Sequence, residues 1–307
     1  MKVLIIGYGS IGKRHARLLA AEGAELGIVT KQKLTDYPCW ASLEAVPDLR
    51  SFDFFLIASE TVKHYDQLEY LSSKLEGKRI LVEKPLFMTH ADLPINKNQV
   101  FVSYNLRFHA ILQEIKTRLA KWKPIACLAQ VGQWLPDWRP EQDYTKSYSA
   151  DPNQGGGVLL DLSHELDYLT WLFGPMTLVE SFEGRISPLR IQSEDFVSLI
   201  AQTSRQVALT LSMDYISRIP MRNLVIHCEE GTLIADLIAQ NLRIKGEGDS
   251  EERRIDFSVG RDETYQKTHQ AFFSNEPTDL CTYQEGIEVM RQIEMIRDSA
   301  RQKEWNG

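Results

Sequence analysis

Two short segments carry residues suited to chemistry. The first is Gly7-Tyr8-Gly9-Ser10-Ile11-Gly12, which follows the apolar run Val3-Leu4-Ile5-Ile6 and fits G-x-G-x-x-G. After a buried strand and at the start of a helix, that spacing builds a phosphate cradle. The first glycine permits the tight turn, the second lets backbone approach a pyrophosphate, and the third lets helix and strand pack closely. The helix start adds free N–H groups and a favourable dipole. Gly7, Gly9, Ser10, Ile11 and Gly12 are therefore expected to hold a dinucleotide. The second segment is Glu83-Lys84-Pro85, directly after the strand-like run Arg79-Ile80-Leu81-Val82. In an open α/β sheet, residues just past the carboxyl ends of strands line the ligand crevice. A lysine there can donate to a developing alkoxide or polarise a carbonyl, and Pro85 would fix the turn that aims it.

The end of the second strand bears on the cofactor. An acidic residue about 20 positions after the loop would bond the ribose 2′-hydroxyl of NAD. Here the residues are Thr30-Lys31-Gln32-Lys33, with no carboxylate until Asp36. A hydroxyl beside two lysines suits a 2′-phosphate better, so Thr30 and Lys31 favour NADP over NAD. The plain alternative is a pair of solvated loop lysines.

A third segment suits a ligand rich in hydroxyls. Trp134-Leu135-Pro136-Asp137-Trp138-Arg139-Pro140 and then Asp143-Tyr144-Thr145-Lys146-Ser147-Tyr148 set aromatic faces beside hydrogen-bonding side chains. Carbohydrates offer apolar ring faces and many hydroxyls to such a surface. Arg139 could also fork a carboxylate or a phosphate. Trp138, Arg139, Tyr144 and Tyr148 are the candidates, against the alternative of an interdomain packing loop. Arg107 is a further candidate, with approach to cofactor or substrate and an interdomain ion pair both open. His15 reads as a solvent-facing or helix-packing residue and His109 as a helix-packing one, and His227 and His269 have no partner spacing that points to a metal. No metal is expected.

Around these segments the first hundred residues alternate strand and helix patterns. Strands are expected at 3–6, 26–29, 52–58, 79–82 and 100–102, with helices at 11–22 and 61–75. That alternation implies a doubly wound parallel sheet, a Rossmann domain over 1–105. Residues 106–307 read as an α+β domain that binds substrate and oligomerises. It has a helix at 108–121, a strand near 126–133, and a Gly155-Gly156-Gly157 run leading into a helix that ends at Phe173-Gly174-Pro175. A strand-rich stretch from 176 to 259 follows, with hairpin spacings, and helices at about 261–273 and 282–302 close the chain. Such a domain is an open, mostly antiparallel sheet with helices on one face. Its bare face is expected to pair copies into a homodimer or homotetramer.

Composition excludes other classes. The chain has 307 residues, 43% hydrophobic and 25% charged, with a net charge of −7. Acidic balance argues against nucleic acid, whose phosphates need clustered Lys and Arg. The four cysteines, Cys39, Cys127, Cys228 and Cys281, form no CxxC pair and read as free thiols in a reducing compartment. No apolar run reaches the roughly 20 residues of a membrane helix, so no membrane association is expected. The N-terminal apolar run is too short for a signal peptide. A cytoplasmic protein is the expectation.

Taken together, the chain resembles the glucose–fructose oxidoreductase/inositol dehydrogenase family, Gfo/Idh/MocA. The resemblance rests on the glycine loop, His64 after Ala58-Ser59-Glu60-Thr61-Val62-Lys63, the Glu83-Lys84-Pro85 turn, and Tyr104-Asn105-Leu106-Arg107-Phe108. It rests also on Gly155-Gly156-Gly157-Val158-Leu159-Leu160-Asp161-Leu162-Ser163-His164-Glu165-Leu166-Asp167. It implies that the lysine of the Glu-Lys-Pro turn and the helix Asp and His meet at the nicotinamide, making Lys84, Asp161 and His164 the catalytic candidates. Ser59, His64, Glu83 and Lys84 join the cofactor-binding candidates, and Asp167 joins the substrate side or caps a helix. The segment 134–148 borders the substrate in the family. One departure stands out. The family spaces its Asp and His four apart, whereas Asp161 and His164 are three apart. Both spacings lie on one helix face, so either Asp161 keeps the family role or the active centre relies on His164 and Lys84 alone.

The chemistry implied is hydride transfer between nicotinamide and a carbinol or carbonyl carbon of a sugar, sugar acid or sugar nucleotide. His164 would be the base in oxidation, and Lys84 would stabilise the alkoxide-like oxygen. Two other functions remain open at this point: a tightly bound, recycled nicotinamide used for epimerisation or elimination, and a non-catalytic dinucleotide sensor. The substrate, the reaction direction and the pathway are not written in the residues.

Overall fold

The computed structural model describes residues 1–302. Its elements in chain order begin with β1 (Lys2–Ile6), α1 (Ser10–Ala21), β2 (Glu25–Val29), β3 (Cys39–Trp40), β4 (Phe54–Ile57), α2 (His64–Lys74), β5 (Arg79–Val82) and β6 (Gln99–Val102). There follow α3 (Ala110–Leu119), β7 (Pro124–Gly132), α4 (Val158–Asp161), α5 (His164–Phe173), β8 (Met176–Gly184), β9 (Phe196–Thr203) and β10 (Ala208–Asp214). The chain closes with β11 (Met221–Cys228), β12 (Gly231–Asp236), β13 (Asn241–Gly246), β14 (Arg253–Asp256), α6 (Glu263–Phe273), β15 (Cys281–Thr282) and α7 (Tyr283–Arg301).

The chain divides into two compact units. The first holds residues 1–105 and also 262–287. Its sheet runs β15-β6-β5-β4-β1-β2-β3, parallel throughout except for β15 at the edge. Val3, Leu4, Ile5 and Ile6 are all buried, as expected of a strand covered on both faces. The return of 262–287 to this unit corrects the boundary read from the sequence, which left those residues in the second domain. The reason is aromatic packing. Phe272 and Phe273 of α6 pack edge-on against Phe54 of β4, with centroids 5.5 and 4.7 Å away, and Phe272 also meets Phe101 of β6. Asn105 adds a hydrogen bond from Nδ2 to Thr264 Oγ1 at 2.7 Å. Two apolar residues at the end of a helix do not announce which sheet they cover.

The second unit comprises residues 106–261 and, of the described residues, 288–302. Its sheet runs β14-β13-β12-β11-β7-β10-β9-β8. Every pair is antiparallel except β7 with β10. That parallel pair arises because the chain leaves β7 through α4 and α5 before returning, and a parallel neighbour needs such a crossover. One sheet face is covered: Leu209, Leu211, Met213, Leu224 and Ile226 are buried. Gln292 of α7 meets Thr170 of α5, and Ser181 of β8 donates to Ile296 O at 2.6 Å. Leu178, Ile200 and Leu128 stand exposed on the other side. Among the described residues, no helix is long and apolar enough to cross a membrane.

Candidate functional site

In the first unit the glycine loop has the shape its sequence requires. Gly7 has φ +101°, and a Cβ there would lie 2.6 Å from the backbone of Ala58 and Ser59 at the end of β4. A Cβ on Gly12 would meet the Gly7 carbonyl oxygen at 2.2 Å, so helix and loop touch directly. Gly9 differs: a Cβ there would meet nothing within 4 Å. The loop is thus packed on its inner side and open at the glycine that a pyrophosphate approaches. The helix bond from Lys13 N to Gly9 O starts α1, so the preceding amides at the helix start lack intrahelical acceptors. No acidic residue occupies its first turn. Ser10 is exposed and Ile11 half-buried. These features fit an anionic dinucleotide.

After β2, Thr30 is half-buried, its N–H donates to Trp40 O, and its Oγ1 accepts from Gln32 N. Lys31, Lys33 and Asp36 are exposed. Tyr37 packs edge-on against Tyr8, and the Lys13 ammonium lies 5.6 Å from the Tyr8 ring centroid.

The loops after β4 and β5 are braced from inside. His64 was expected against the cofactor, but only 1% of its surface is exposed. Its Nδ1 lies 3.1 Å from Pro85 O and 3.3 Å from Leu86 O, and its Nε2 lies 3.2 Å from Ser59 O. Burial pulls its pKa down, against those carbonyls and the Glu83 charge. His64 is therefore a strut between two strand-end loops. Ser59 remains half-exposed and donates from Oγ to Gln67 Oε1 at 2.7 Å. Glu83, also expected at the cofactor, turns inward: Oε1 lies 2.9 Å from His15 Nε2. Burial raises its carboxyl, yet the hydrogen bond from His15 outweighs this and holds it below the usual range. Lys84 is half-buried at the carboxyl end of β5. Of the two readings of His15, solvent-facing and helix-packing, its complete burial excludes the first, and the contact with Glu83 adds a polar partner.

In the second unit the helix after the glycine run is two helices. Leu162 and Ser163 break it, so Asp161 ends α4 and His164 begins α5. The shared helix face expected from their spacing does not exist. Asp161 is buried and accepts from Tyr215 Oη at 2.6 Å, and the Tyr148 hydroxyl also bonds it. The Asp161 charge, ahead of burial, raises the Tyr148 pKa; burial, ahead of that charge, raises Tyr215 well above its usual value. His164 is half-buried. Tyr215, one residue past β10, was not singled out from the sequence. An aromatic following a strand is too common a pattern to mark it.

Arg107 was a candidate for cofactor or substrate with an interdomain ion pair equally open, and Asp167 for the substrate side or a helix cap. Both are buried, and they pair with each other through three contacts between 2.7 and 3.1 Å. Neither presents surface to a ligand, so both are corrected to structural roles. The loop candidates fare differently. Leu135, Trp138, Arg139, Gln142, Tyr144, Ser147 and Ser149 line one small, partly open depression. The Arg139 guanidinium sits 5.5 Å from the Tyr148 ring centroid, and Trp138 packs edge-on against Tyr215 at 5.2 Å. The Trp138 indole N–H is buried and has no acceptor among the described residues. Among them, too, no cluster of three or more His, Cys, Asp or Glu is arranged to hold a metal.

Comparison with known proteins decides the family. Residues 1–98 match the model "Oxidoreductase family, NAD-binding Rossmann fold", and residues 132–306 match "Oxidoreductase family, C-terminal alpha/beta domain". The chain belongs to the Gfo/Idh/MocA oxidoreductase family. An uncharacterized oxidoreductase of Synechocystis sp. is 26% identical over 202 residues, 58% of this chain. The match spans about half the length of that relative, 53%. Among solved structures, a levoglucosan dehydrogenase in complex with NADH has a TM-score of 0.84 at 17% identity, over 98% of this chain and 97% of its own. The WlbA dehydrogenase from Bordetella pertussis, in complex with NADH and UDP-GlcNAcA, has a TM-score of 0.79 at 19% identity, over 98% and 96%. An oxidoreductase from Agrobacterium radiobacter, in complex with NAD+, L-tartaric acid and magnesium, reaches 0.82 at 16% identity, over 98% and 96%. At these identities the likeness is one of fold.

Proposed function

We propose that this Gfo/Idh/MocA protein is an NAD(P)-dependent dehydrogenase that oxidises a carbinol carbon of a sugar, sugar acid or sugar nucleotide, or reduces the corresponding carbonyl. The carrying observation is the placement of Lys84 and the phosphate loop on one sheet edge. The loop leaves the carboxyl end of β1 and Lys84 leaves that of β5, with only β4 between. Two strand spacings are about 10 Å, within the span of a dinucleotide whose pyrophosphate rests on the loop. When bound, the nicotinamide supplies the hydride acceptor or donor. Lys84 donates to the substrate oxygen and stabilises its developing negative charge. His164 takes the hydroxyl proton in oxidation and returns it in reduction, as an imidazole is suited to do near neutral pH. Asp161, held by Tyr215 and Tyr148, shapes the wall on which α4 ends.

The pocket beside Trp138 supports the substrate class. Aromatic faces and the Arg139 fork suit a polyhydroxylated ligand that carries an anionic group. Trp138, Arg139, Tyr144 and Tyr148 are its proposed contacts. For the cofactor we infer a preference for NADP, since Lys31 and Lys33 are exposed after β2 and no carboxylate stands there before Asp36. The open sheet face pairs two copies. Glu180, Ile200, Thr210, Leu128, Val225, Ile234 and Arg243 lie in one cross-strand row, acidic at one end and basic at the other. A two-fold partner would set each end against its opposite. Light scattering of the wild type and of Ile200→Lys tests this, and a wild-type monomer would contradict it. The activity is tested by adding a panel of sugars, sugar acids and sugar nucleotides to the protein with NADP or NAD and following reduced nicotinamide.

A further inference from the structure

One buried cluster that the proposed chemistry leaves unused lies directly behind Lys84. His15, within α1, is completely buried, as is His269 on α6. His15 Nε2 is 2.9 Å from Glu83 Oε1, and His15 Nδ1 is 2.7 Å from His269 Nε2. Glu83 Oε2 in turn accepts from the backbone N–H of Lys84 at 3.3 Å. At the far end, His269 Nδ1 is buried and meets no hydrogen-bond partner among the described residues. The Tyr265 ring closes the side of His15, edge-on at 5.5 Å.

These contacts allow one proton arrangement for a neutral pair. A carboxylate only accepts, so His15 carries its proton on Nε2 and donates to Glu83. Its Nδ1 is then an acceptor, and His269 must donate to it from Nε2. The His269 nitrogen left bare is the one that faces no partner. Burial, then the neighbouring His15, holds the His269 pKa well below its usual value, in keeping with a neutral ring. The chain His269–His15–Glu83 thus runs in one direction and ends on the backbone amide of Lys84.

We propose that His15, oriented by His269, is a positioning residue for Lys84: it holds the Glu83 carboxylate in place and so fixes the Glu83-Lys84-Pro85 turn. The proposal rests on Lys84 acting in the reaction. Its physical point is the helix that carries His15. That helix opens at the phosphate loop, so one rigid element seats the pyrophosphate at its N-terminus and anchors the lysine turn from its buried face. Small misplacement of a reacting group costs orders of magnitude in rate, and a side-chain tie from cradle to turn guards against it. The second histidine arrives 254 residues later in the sequence, on the helix that returns to this unit.

The test compares His15→Leu, which keeps bulk but not the donor, with His15→Gln, whose amide N–H can still reach Glu83. Both are measured on the full-length protein for kcat, KM, cofactor affinity and melting temperature. The expected result is a roughly 10- to 100-fold loss of kcat in the leucine variant, the range typical of removing an outer-shell orienting group. Cofactor affinity should be nearly unchanged, and most of kcat should return in the glutamine variant. Wild-type kcat in His15→Leu, or equal losses in both variants that track melting temperature, would overturn the proposal. If the leucine variant does not fold, ¹⁵N-labelled histidine resonances of the wild type decide. Both rings fixed as Nε2–H tautomers support the chain, and tautomer averaging at His15 overturns it. Lys84→Ala separates the two levels: loss of turnover there without loss in His15→Leu removes only the positioning role, whereas wild-type turnover in Lys84→Ala removes the role of Lys84 itself.

Discussion

Arg107 grips Asp167 in a forked pair that is sealed from solvent: Nε lies 3.1 and 3.0 Å from the two carboxylate oxygens, and Nη2 lies 2.7 Å from Oδ1. The side chains are only 2% and 1% exposed. Arg107 precedes α3 and Asp167 lies in α5, so the pair joins two helical segments of the second unit. Removing one partner leaves a buried, uncompensated charge, which costs about 3–5 kcal/mol. Asp167→Ala is therefore expected to lower stability by that order in denaturant unfolding, with little change of KM in whatever folds. A stable variant with a selectively raised KM would return Asp167 to the substrate.

Asp161 makes a second prediction. With both tyrosine hydroxyls donating to it, its orientation depends on them. Tyr215→Phe removes the 2.6 Å donor while keeping the ring against Trp138. Loss of a hydrogen bond to a charged group costs about 1.5–3 kcal/mol. The expected effect is lower stability together with a reduced kcat, and a smaller effect on cofactor affinity. Unchanged stability would show that the bond to Tyr215 contributes nothing.

The carboxyl of Glu194 gives a pH signature. Burial, aided by the charge of Glu183, pushes it up to about 7, from 4.5 for a free glutamate. A raised carboxyl binds its proton more tightly in the folded than in the unfolded chain. Its contribution is thus fully present below about pH 4.5 and is lost as pH rises toward 7. At 1.36 kcal/mol per pKa unit the swing is about 3 kcal/mol. Glu194→Gln should match the wild type in stability near pH 5 and exceed it near pH 8. Parallel stability–pH curves for the two proteins would contradict this.

The proposed preference for NADP is tested at Lys31. Placing a carboxylate there offers a partner to a ribose hydroxyl and repels a phosphate. Lys31→Glu is expected to weaken NADP at least tenfold and to leave NAD equal or tighter, read by binding titration. Tighter NAD than NADP in the wild type would remove the preference.

What the sequence revealed follows the range of the interactions. The phosphate loop, the buried parallel strands and the Glu83-Lys84-Pro85 turn are local patterns, a few residues long, and each lies where periodicity placed it. The pairs that define the site's surroundings are not local. Arg107 meets Asp167 across 60 residues, Tyr215 meets Asp161 across 54, and His15 meets His269 across 254. Nothing in the residues near Arg107 names its partner, so a ligand contact and an ion pair read equally well until Asp167 is seen. The break between α4 and α5 was hidden for a different reason. Leu162 and Ser163 are ordinary in a helix, so nothing in their identity marks the break. The three-residue spacing of Asp161 and His164 falls there, between two helices.

The central claim is that Lys84 and His164 act together in nicotinamide-dependent oxidation at a carbinol carbon. It is tested most directly by single-turnover formation of reduced nicotinamide in the wild type, Lys84→Ala and His164→Ala, with cofactor affinity measured alongside. The account predicts a loss of about 100-fold or more in each variant, the scale of general acid–base catalysis, with dinucleotide affinity nearly intact. Near-wild-type turnover in either variant would contradict it.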